Sequence, residues 1–332
     1  MRGPDQGFLL LTSTLGDPER KPLTVAQFRT LAKRMMEGER ELTSRDLEIG
    51  DLVKLGYDTS AAERIYGLLC DTNRLREYLR RAAECDCFPI TRLNPLYPGS
   101  VRRRLGLDAP GVLWAKGDVT LLTKSAVAVI GSRDLREENR SFAEEAGRQI
   151  AKQGYVLVSG NANGADKTAQ NACLEAGGYV ISIVADSLQK QPLTERVLYL
   201  SLDDFDRSFS PQRALHRNHV IHTLADVTIA AQCTLGKGGT WDGILANLKQ
   251  GWTPVCILAD GSEAAKDLQN RGVLSICVSD LQDLASLAYF TMVAPSEVIS
   301  SFLTFISREI LPAGTFLNGT HSTRFLPGRT SL

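Results

Sequence analysis

The chain has 332 residues, 43% hydrophobic and 23% charged, which is typical of a globular protein with one large domain and a smaller one. Its 38 basic residues balance 38 acidic ones. No global charge therefore draws the chain to nucleic acid or to an anionic membrane, and any polyanion site must be a local cluster of cations.

The N-terminal segment has one apolar run, FLLL at residues 8–11, which is too short for a secretory signal or a membrane span. The seven cysteines are odd in number and scattered, which is typical of free thiols in a reducing compartment. Cys85 and Cys87 have no second Cys or His pair at zinc-site spacing. We therefore expect a cytoplasmic protein with no membrane contact, no metal and no cofactor.

Residues 1–85 carry apolar positions every three or four residues, as in TVAQFRTLAKRMMEG and SAAERIYGLLCDTNRLREYLRRAAE. This period predicts a small helical N-terminal domain. A proline-rich segment follows, and its prolines favour extended and turn conformations over helix.

From residue 126 short apolar runs alternate with amphipathic stretches. This alternation predicts an α/β fold with a doubly wound, mostly parallel sheet that is covered on both faces. We assign that domain to residues 86–288, and residues 289–332 to a C-terminal helix and an irregular tail. The predicted strands lie near residues 126–130, 155–159, 179–184, 226–231, 254–258 and 274–278.

A glycine turn follows the first of these strands. Gly131 permits a tight turn, and Ser132 and Arg133 add a hydroxyl and a forked cation beside a predicted helix N-terminus. This combination favours an anion. The alternative is that Ser132 only caps the helix and that Arg133 is a solvated surface residue.

The second strand ends in a longer turn, SGNANGADK. It has neither the GxGxxG spacing of dinucleotide-binding folds nor the GxxxxGK[ST] of a P-loop, so neither site is predicted. The turn offers a close backbone approach and amide side chains, whereas Asp166 is equally suited to cap the next helix or to complement its dipole. The candidate ligand residues are Ser159, Gly160, Asn161, Asn163, Gly164, Asp166 and Lys167.

Two later segments bring polar groups to the same sheet edge. The helical run PQRALHRNHVIHTLAD collects Arg213, His216, Arg217 and Asn218 near its start, although a solvated helix face is the competing explanation. The turn GKGGT opens another helix and has the flexible glycines and the cation of a phosphate cradle. Its candidate residues are Gly236, Lys237, Gly238, Gly239 and Thr240. Together the four segments predict one site for a phosphate-bearing ligand.

The ordered segments VAVIGSR, GYVLVSGNANGADKTAQNACLEAGG, HRNHVIHTLADVTIAA and GKGGT resemble the successive motifs of the DprA/Smf family of bacterial DNA-processing proteins. The lead-in LNPLYPGSVRRRLGLDAPGVLWAKGDVTLL is similar as well, so the resemblance covers about residues 90–280. The chain departs from the family pattern at Gln170, where the family has His, and at His219, where it has Arg. The GKGGT turn also resembles the phosphate turn of the related LOG nucleotide-processing proteins.

The resemblance implies an extended Rossmann-like domain that binds single-stranded DNA, often as a dimer. It also implies that the protein protects incoming strands and helps load the RecA recombinase in natural transformation, with no catalytic residue. The family motifs carry over to Gly131, Ser132, Arg133, Ser159, Gly160, Gly164, Asp166, Arg217 and Asn218, and chemistry alone adds Lys167 and Lys237.

Two rival hypotheses stay open. One is a LOG-type protein that binds or hydrolyses a nucleotide in the same cleft, for instance in phage defence, with Asp166 or a neighbour activating water. In the other hypothesis, the N-terminal helices bind a protein partner and the sheet domain is only a scaffold.

Overall fold

A computed structural model describes residues 3–38 and 47–290 of the chain. The predicted C-terminal helix and irregular tail at residues 289–332 lie almost entirely outside this part. Within it, no helix is both long enough and apolar enough to cross a membrane.

Nine strands in the described residues form one sheet. They are β1 (Phe88–Thr91), β2 (Val112–Lys116), β3 (Ala126–Ile130), β4 (Val156–Ser159), β5 (Tyr179–Ile183), β6 (Val197–Ser201), β7 (Val227–Ala230), β8 (Val255–Leu258) and β9 (Leu274–Ile276). Their order across the sheet is β1-β2-β6-β5-β4-β3-β7-β8-β9. The seven strands from β6 onward in this order are parallel, whereas β1 and β2 form an antiparallel edge.

Twelve α-helices lie in the described residues. They are α1 (Gly3–Thr12), α2 (Val25–Glu37), α3 (Ile49–Lys54), α4 (Thr59–Cys70), α5 (Thr72–Glu84), α6 (Gly99–Leu105), α7 (Glu137–Lys152), α8 (Ala165–Glu175), α9 (Pro211–Leu224), α10 (Gly238–Gln250), α11 (Glu263–Asn270) and α12 (Leu284–Phe290).

Helices cover the sheet on both faces. Alternate residues of β3 belong to different cores, because successive side chains of a strand point to opposite faces. Ala128 shares one core with Val220 of α9 and Ile244 of α10, and Val129 shares the other with Phe142 of α7. The predicted α/β, doubly wound, mostly parallel fold is therefore confirmed.

All six predicted strands are present, each within two residues of its predicted bounds, but β1, β2 and β6 were not predicted. β1 contains Pro89, which an edge strand tolerates because one side of it has no ladder partner. β2 and β6 are single short apolar runs, VLWAK and VLYLS, which periodicity alone does not distinguish from buried helix.

The N-terminal helices share a core with the antiparallel edge of the sheet. Tyr78 of α5 packs against Trp114 of β2 and against Phe205 after β6, with ring centroids 5.5 and 4.8 Å apart. Asp204, next to Phe205, accepts hydrogen bonds from the backbone N (3.0 Å) and the hydroxyl (2.5 Å) of Thr14. The segment after β6 is thus anchored to the N-terminal helices. The domain boundary at residue 85 stays a prediction.

Candidate functional site

The predicted turns meet where the strand order of the sheet reverses. β3 lies between β4 and β7, and the chain builds the sheet outward from it in both directions. In open α/β sheets such a switch point leaves a crevice at the carboxyl ends of the strands. A cavity of about 750 Å³ opens there. Small-molecule sites span roughly 300–1,000 Å³, so this volume suits a ligand the size of a nucleotide.

The cavity brings together ten of the predicted residues, and all four segments of the chain contribute to it. They are Gly131, Ser132, Arg133, Asp166, Arg217, Asn218, Lys237, Gly238, Gly239 and Thr240. The other predicted residues do not line the cavity. Most of them belong to the second turn, where they precede Asp166 in the sequence or follow it directly. They are Ser159, Gly160, Asn161, Asn163, Gly164, Lys167 and Gly236.

The first and second turns pack backbone to backbone. Gly164 has φ +85°, and a Cβ atom on it would lie 2.3 Å from the carbonyl oxygen of Ser132. The backbone N of Ala165 donates to that same oxygen at 3.2 Å. Only glycine fits at position 164, because any side chain would push the turn that carries Arg133 away from α8.

The side chain of Asp166 holds the backbone of the second turn by hydrogen bonds. It is buried, and its Oδ2 accepts hydrogen bonds from the backbone N of Gly160 (2.9 Å) and of Ala162 (3.3 Å). Burial raises the pKa of Asp166, while the positive charge of Arg217 and the two amides oppose that shift. These contacts show that the carboxylate of Asp166 holds the backbone of the turn, which disfavours a role as a base that activates water.

Arg217 lies beneath the second turn rather than on an open wall of the cavity. It is 7% exposed, and its Nη1 donates to the carbonyl oxygen of Ile183 at 2.5 Å. The guanidinium packs against the backbone of Gly160. Burial lowers the pKa of Arg217, opposed by Asp166, and an arginine keeps its proton in proteins. Arg217 therefore contributes positive charge to the cavity, although its guanidinium is buried in the cavity wall.

Two cations face the solvent at the cavity. Arg133 and Lys237 are both exposed, and within residues 3–38 and 47–290 neither side chain forms a hydrogen bond or an ion pair. Lys237 immediately precedes α10, which has no side-chain cap. The first N–H groups of a helix have no partner within the helix, so this end of α10 suits an anion. Asn218 ties α9 to it, because its Nδ2 donates to the carbonyl oxygen of Gly239 at 3.0 Å.

The cavity wall also carries an exposed aromatic residue that was not predicted from the sequence. Phe209 is 52% exposed, and its backbone N donates to Asp186 at 3.1 Å. Arg213 holds the same loop, because its guanidinium donates to the carbonyl oxygens of Arg207 and Ser208 at 2.8 Å each. An aromatic residue within the polar segment DDFDRSFSP, just before a predicted helix, was the available signal.

Arg213 also bonds Asp203 at 2.7 Å, so its role is to shape the loop that carries Phe209. Its side chain is only 12% exposed. In the described ranges, no group of three or more His, Cys, Asp or Glu side chains is arranged to hold a metal ion.

Comparison with known sequences gives a family match over most of the sheet domain. Residues 89–286 match the family model described as DNA recombination-mediator protein A. The DNA processing protein DprA of Bacillus subtilis is 35% identical over 83 residues, which are 25% of this chain and 28% of that protein. The protein of the same name from Streptococcus pneumoniae is 33% identical over 103 residues, 31% of this chain and 32% of that protein. The alignments thus span less than a third of either relative.

Solved structures extend the likeness. DNA processing protein A from Streptococcus pneumoniae has a TM-score of 0.66 at 21% identity, covering 86% of this chain and 98% of that one, and this likeness shows the fold. DNA processing protein A from Helicobacter pylori has a TM-score of 0.52 at 25% identity, covering 60% of this chain and 95% of that one. The structure of the Helicobacter protein describes a single-stranded DNA binding mode.

Proposed function

The chain belongs to the family of DNA recombination-mediator protein A, and we propose that it binds single-stranded DNA in the cavity at the switch point of its sheet. The observation that carries the proposal is the exposure of two cations, Arg133 and Lys237, and one aromatic ring, Phe209, on the walls of a single cavity. Proteins that bind single strands combine cations that follow the phosphates with aromatic rings on which bases stack.

The cations and the aromatic ring contact different parts of the strand. Arg133, Lys237 and the first amides of α10 hold phosphates, and these contacts position the strand without reading its sequence. Phe209 stacks on a base, which tolerates any sequence because every base has a π-face. The balanced charge of the whole chain is compatible with this site because the cations act locally.

The wider role follows from family membership and rests on it alone. We infer a cytoplasmic, nonenzymatic DNA-processing protein that protects the strand and helps load the RecA recombinase on it during natural transformation, acting as a homodimer.

A second candidate is a protein that binds one mononucleotide in the same cavity. The observation in its favour is the cavity of about 750 Å³ at an uncapped helix N-terminus, which suits a single phosphate-bearing ligand. A nucleotide would concentrate its phosphate contacts on the amides of Gly238, Gly239 and Thr240.

Fluorescence anisotropy separates the two candidates. The full chain is titrated against a labelled oligothymidine, and common mononucleotides are then added as competitors. We expect the oligomer to bind at micromolar concentration or tighter and the mononucleotides to compete only weakly. Tight binding of one mononucleotide, without binding of the oligomer, would reject the proposal in favour of the second candidate.

A further inference from the structure

A second cavity, of about 460 Å³, lies between α6, α9 and α10. Its volume falls within the range of roughly 300–1,000 Å³ for small-molecule sites. Among the described residues, none lines both this cavity and the one at the switch point. α9 contributes a different face to each, because His219 lines the second cavity, whereas Asn218 and His222 line the first. The second cavity is therefore a separate site.

A guanidinium with unused donors is fixed at the wall of the second cavity. Nη1 of Arg104, on α6, donates to the carbonyl oxygens of Thr223 (2.9 Å) and Ala225 (2.6 Å) at the end of α9. Nη1 carries two of the five N–H donors of a guanidinium. In residues 3–38 and 47–290, Nε and Nη2 of Arg104 form no hydrogen bond. Arg104 lines the cavity, so three N–H donors of a fixed cation are available to a ligand there.

The charged side chains around the second cavity favour an anion. Lys249 of α10 is exposed and forms no ion pair with any described residue. The lining includes one acidic side chain among the described residues, Asp108, and Arg29 of α2 neutralises it through a salt bridge. Burial lowers the pKa of His219, so its ring is largely neutral near pH 7. The cavity thus has two cations, Arg104 and Lys249, and no unpaired carboxylate in the part of the chain that the structure describes.

Trp252 gives the second cavity an aromatic wall. Its ring lies beside that of His219, with centroids 4.9 Å apart and planes tilted by 54°. Both side chains line the cavity and are partly exposed. Within the described ranges, neither the indole N–H nor the imidazole nitrogens of His219 have a hydrogen-bond partner. A planar heterocycle suits this wall, because its face stacks on the indole and its edge atoms bond to the free ring nitrogens.

The pair of cations favours a phosphate monoester over a carboxylate. A phosphate monoester carries a charge of about −1.5 to −2 near pH 7, whereas a carboxylate carries a single charge. The fork of Arg104 suits either group, but only the more highly charged one also makes full use of Lys249. A phosphate inside a DNA strand carries a single negative charge and matches the pair less well.

We propose that the second cavity binds a nucleotide with a terminal phosphate monoester, its phosphate on Arg104 and Lys249 and its base against Trp252. A free nucleoside monophosphate and the phosphorylated 5′ end of a strand both carry this group, and the site offers the same contacts to either. The second cavity is separate from the proposed strand-binding cavity, so this inference goes beyond the proposed function and does not depend on it.

Tryptophan fluorescence of the full chain tests the proposal, because a base stacked on an indole quenches its emission. Thymidine monophosphate, thymidine and inorganic phosphate are titrated separately. We expect saturable quenching by the monophosphate and binding of thymidine that is weaker by about 10-fold or more. Lys249→Ala should weaken the monophosphate by about 10-fold. Lys266→Ala removes the same charge from an exposed position of α11 outside the cavity and should leave the affinity unchanged.

Trp252→Phe shows where the quenching arises. Trp114 and Trp241 are buried and remain in this variant, so we expect the variant to keep its fold by circular dichroism but to lose the quenching. Oligothymidines with and without a 5′ phosphate then distinguish the two sources. If the monophosphate binds as tightly as the phosphorylated oligomer, the free nucleotide is sufficient. If only the phosphorylated oligomer quenches Trp252, the ligand is the strand end.

Four results would overturn the proposal. They are no quenching by the monophosphate or by the phosphorylated oligomer, quenching that persists in Trp252→Phe, equal affinity for thymidine and its monophosphate, and an affinity that Lys249→Ala leaves unchanged or that Lys266→Ala lowers equally. Failure of the proposed function has a different signature. In that case oligothymidine without a 5′ phosphate does not bind, while the monophosphate still quenches Trp252.

Discussion

Nη1 of Arg217 lies 2.0 Å from the position that a Cβ atom on Gly160 would occupy. Gly160→Ala therefore displaces a buried guanidinium from its contact with Ile183 and from the charge of Asp166. We expect the free energy of unfolding to fall by about 1–3 kcal/mol, the usual cost of overpacking. Urea unfolding measures the change.

Gly67 provides the matched control. It lies on an exposed face of α4, and no atom is within 4 Å of its added Cβ. Gly67→Ala should stabilise the chain by roughly 0.5–1 kcal/mol, because alanine is the better helix former. Equal stability of Gly160→Ala and the wild type would contradict the packing of Arg217 against this turn.

Arg133→Ala should weaken single-stranded DNA binding for every oligomer sequence, because phosphate contacts position the strand without reading it. The expected loss is about 1.5–3 kcal/mol of binding free energy, the range for hydrogen bonds to charged groups. Arg140→Ala removes the same charge from an exposed position of α7 that does not line the cavity, and should bind normally. If both variants lose the same affinity, net charge and not Arg133 is responsible.

Phe209→Ala should cost about 1–3 kcal/mol of binding free energy, the range measured for stacking of one base on an aromatic ring. Phe209→Tyr should keep the affinity because it keeps the ring. Leu193→Ala is the control, since Leu193 is 58% exposed but lies outside the cavity lining. Anisotropy titrations measure all three, and normal binding by Phe209→Ala would remove the ring from the site.

Salt dependence reports how many cations contact phosphates. Arg133 and Lys237 are exposed on the cavity wall, and at about 0.7 per contact for single strands they predict a slope of log K against log salt of roughly −1.4. Lys237→Ala should make this slope about 0.7 less steep and should cost about 1 kcal/mol. A loss of about 2 kcal/mol or more in nucleotide binding, with oligothymidine binding unchanged, would support the mononucleotide candidate instead.

A residue of this site can be predicted from the sequence when its side chain has no hydrogen-bond partner on a distant element. Arg133 and Lys237 were predictable because each lies in a glycine-bearing turn between a strand and a helix, and neither side chain has a hydrogen-bond or ion-pair partner in the described part of the chain. Arg217 carries the same charge, but its acceptor, the carbonyl of Ile183, comes from β5, 34 residues away. The local sequence shows that a cation is present, but it does not show that a distant element buries that cation.

Residues of the cavity that were not predicted also depend on contacts with distant parts of the chain. Phe209 reaches the cavity because Arg213 and Asp186 shape its loop, and the sequence alone does not reveal those tertiary contacts. His222 also lines the cavity, and its neighbours Asn247 on α10 and Thr228 on β7 come from other elements of the fold. The fold itself was more accessible, because strands buried on both faces are apolar throughout, as in AVAVI.

Photocrosslinking tests most directly where the strand lies. An oligothymidine that carries 5-iodouracil is bound to the full chain and irradiated, and the crosslinked residue is identified by mass spectrometry. A strand in the cavity should crosslink at Phe209, the exposed aromatic residue of its wall. Excess unlabelled oligothymidine should abolish the crosslink, and Arg133→Ala should reduce it. Crosslinks confined to the N-terminal helices, with Phe209 unmodified, would contradict the proposal that this cavity binds the strand.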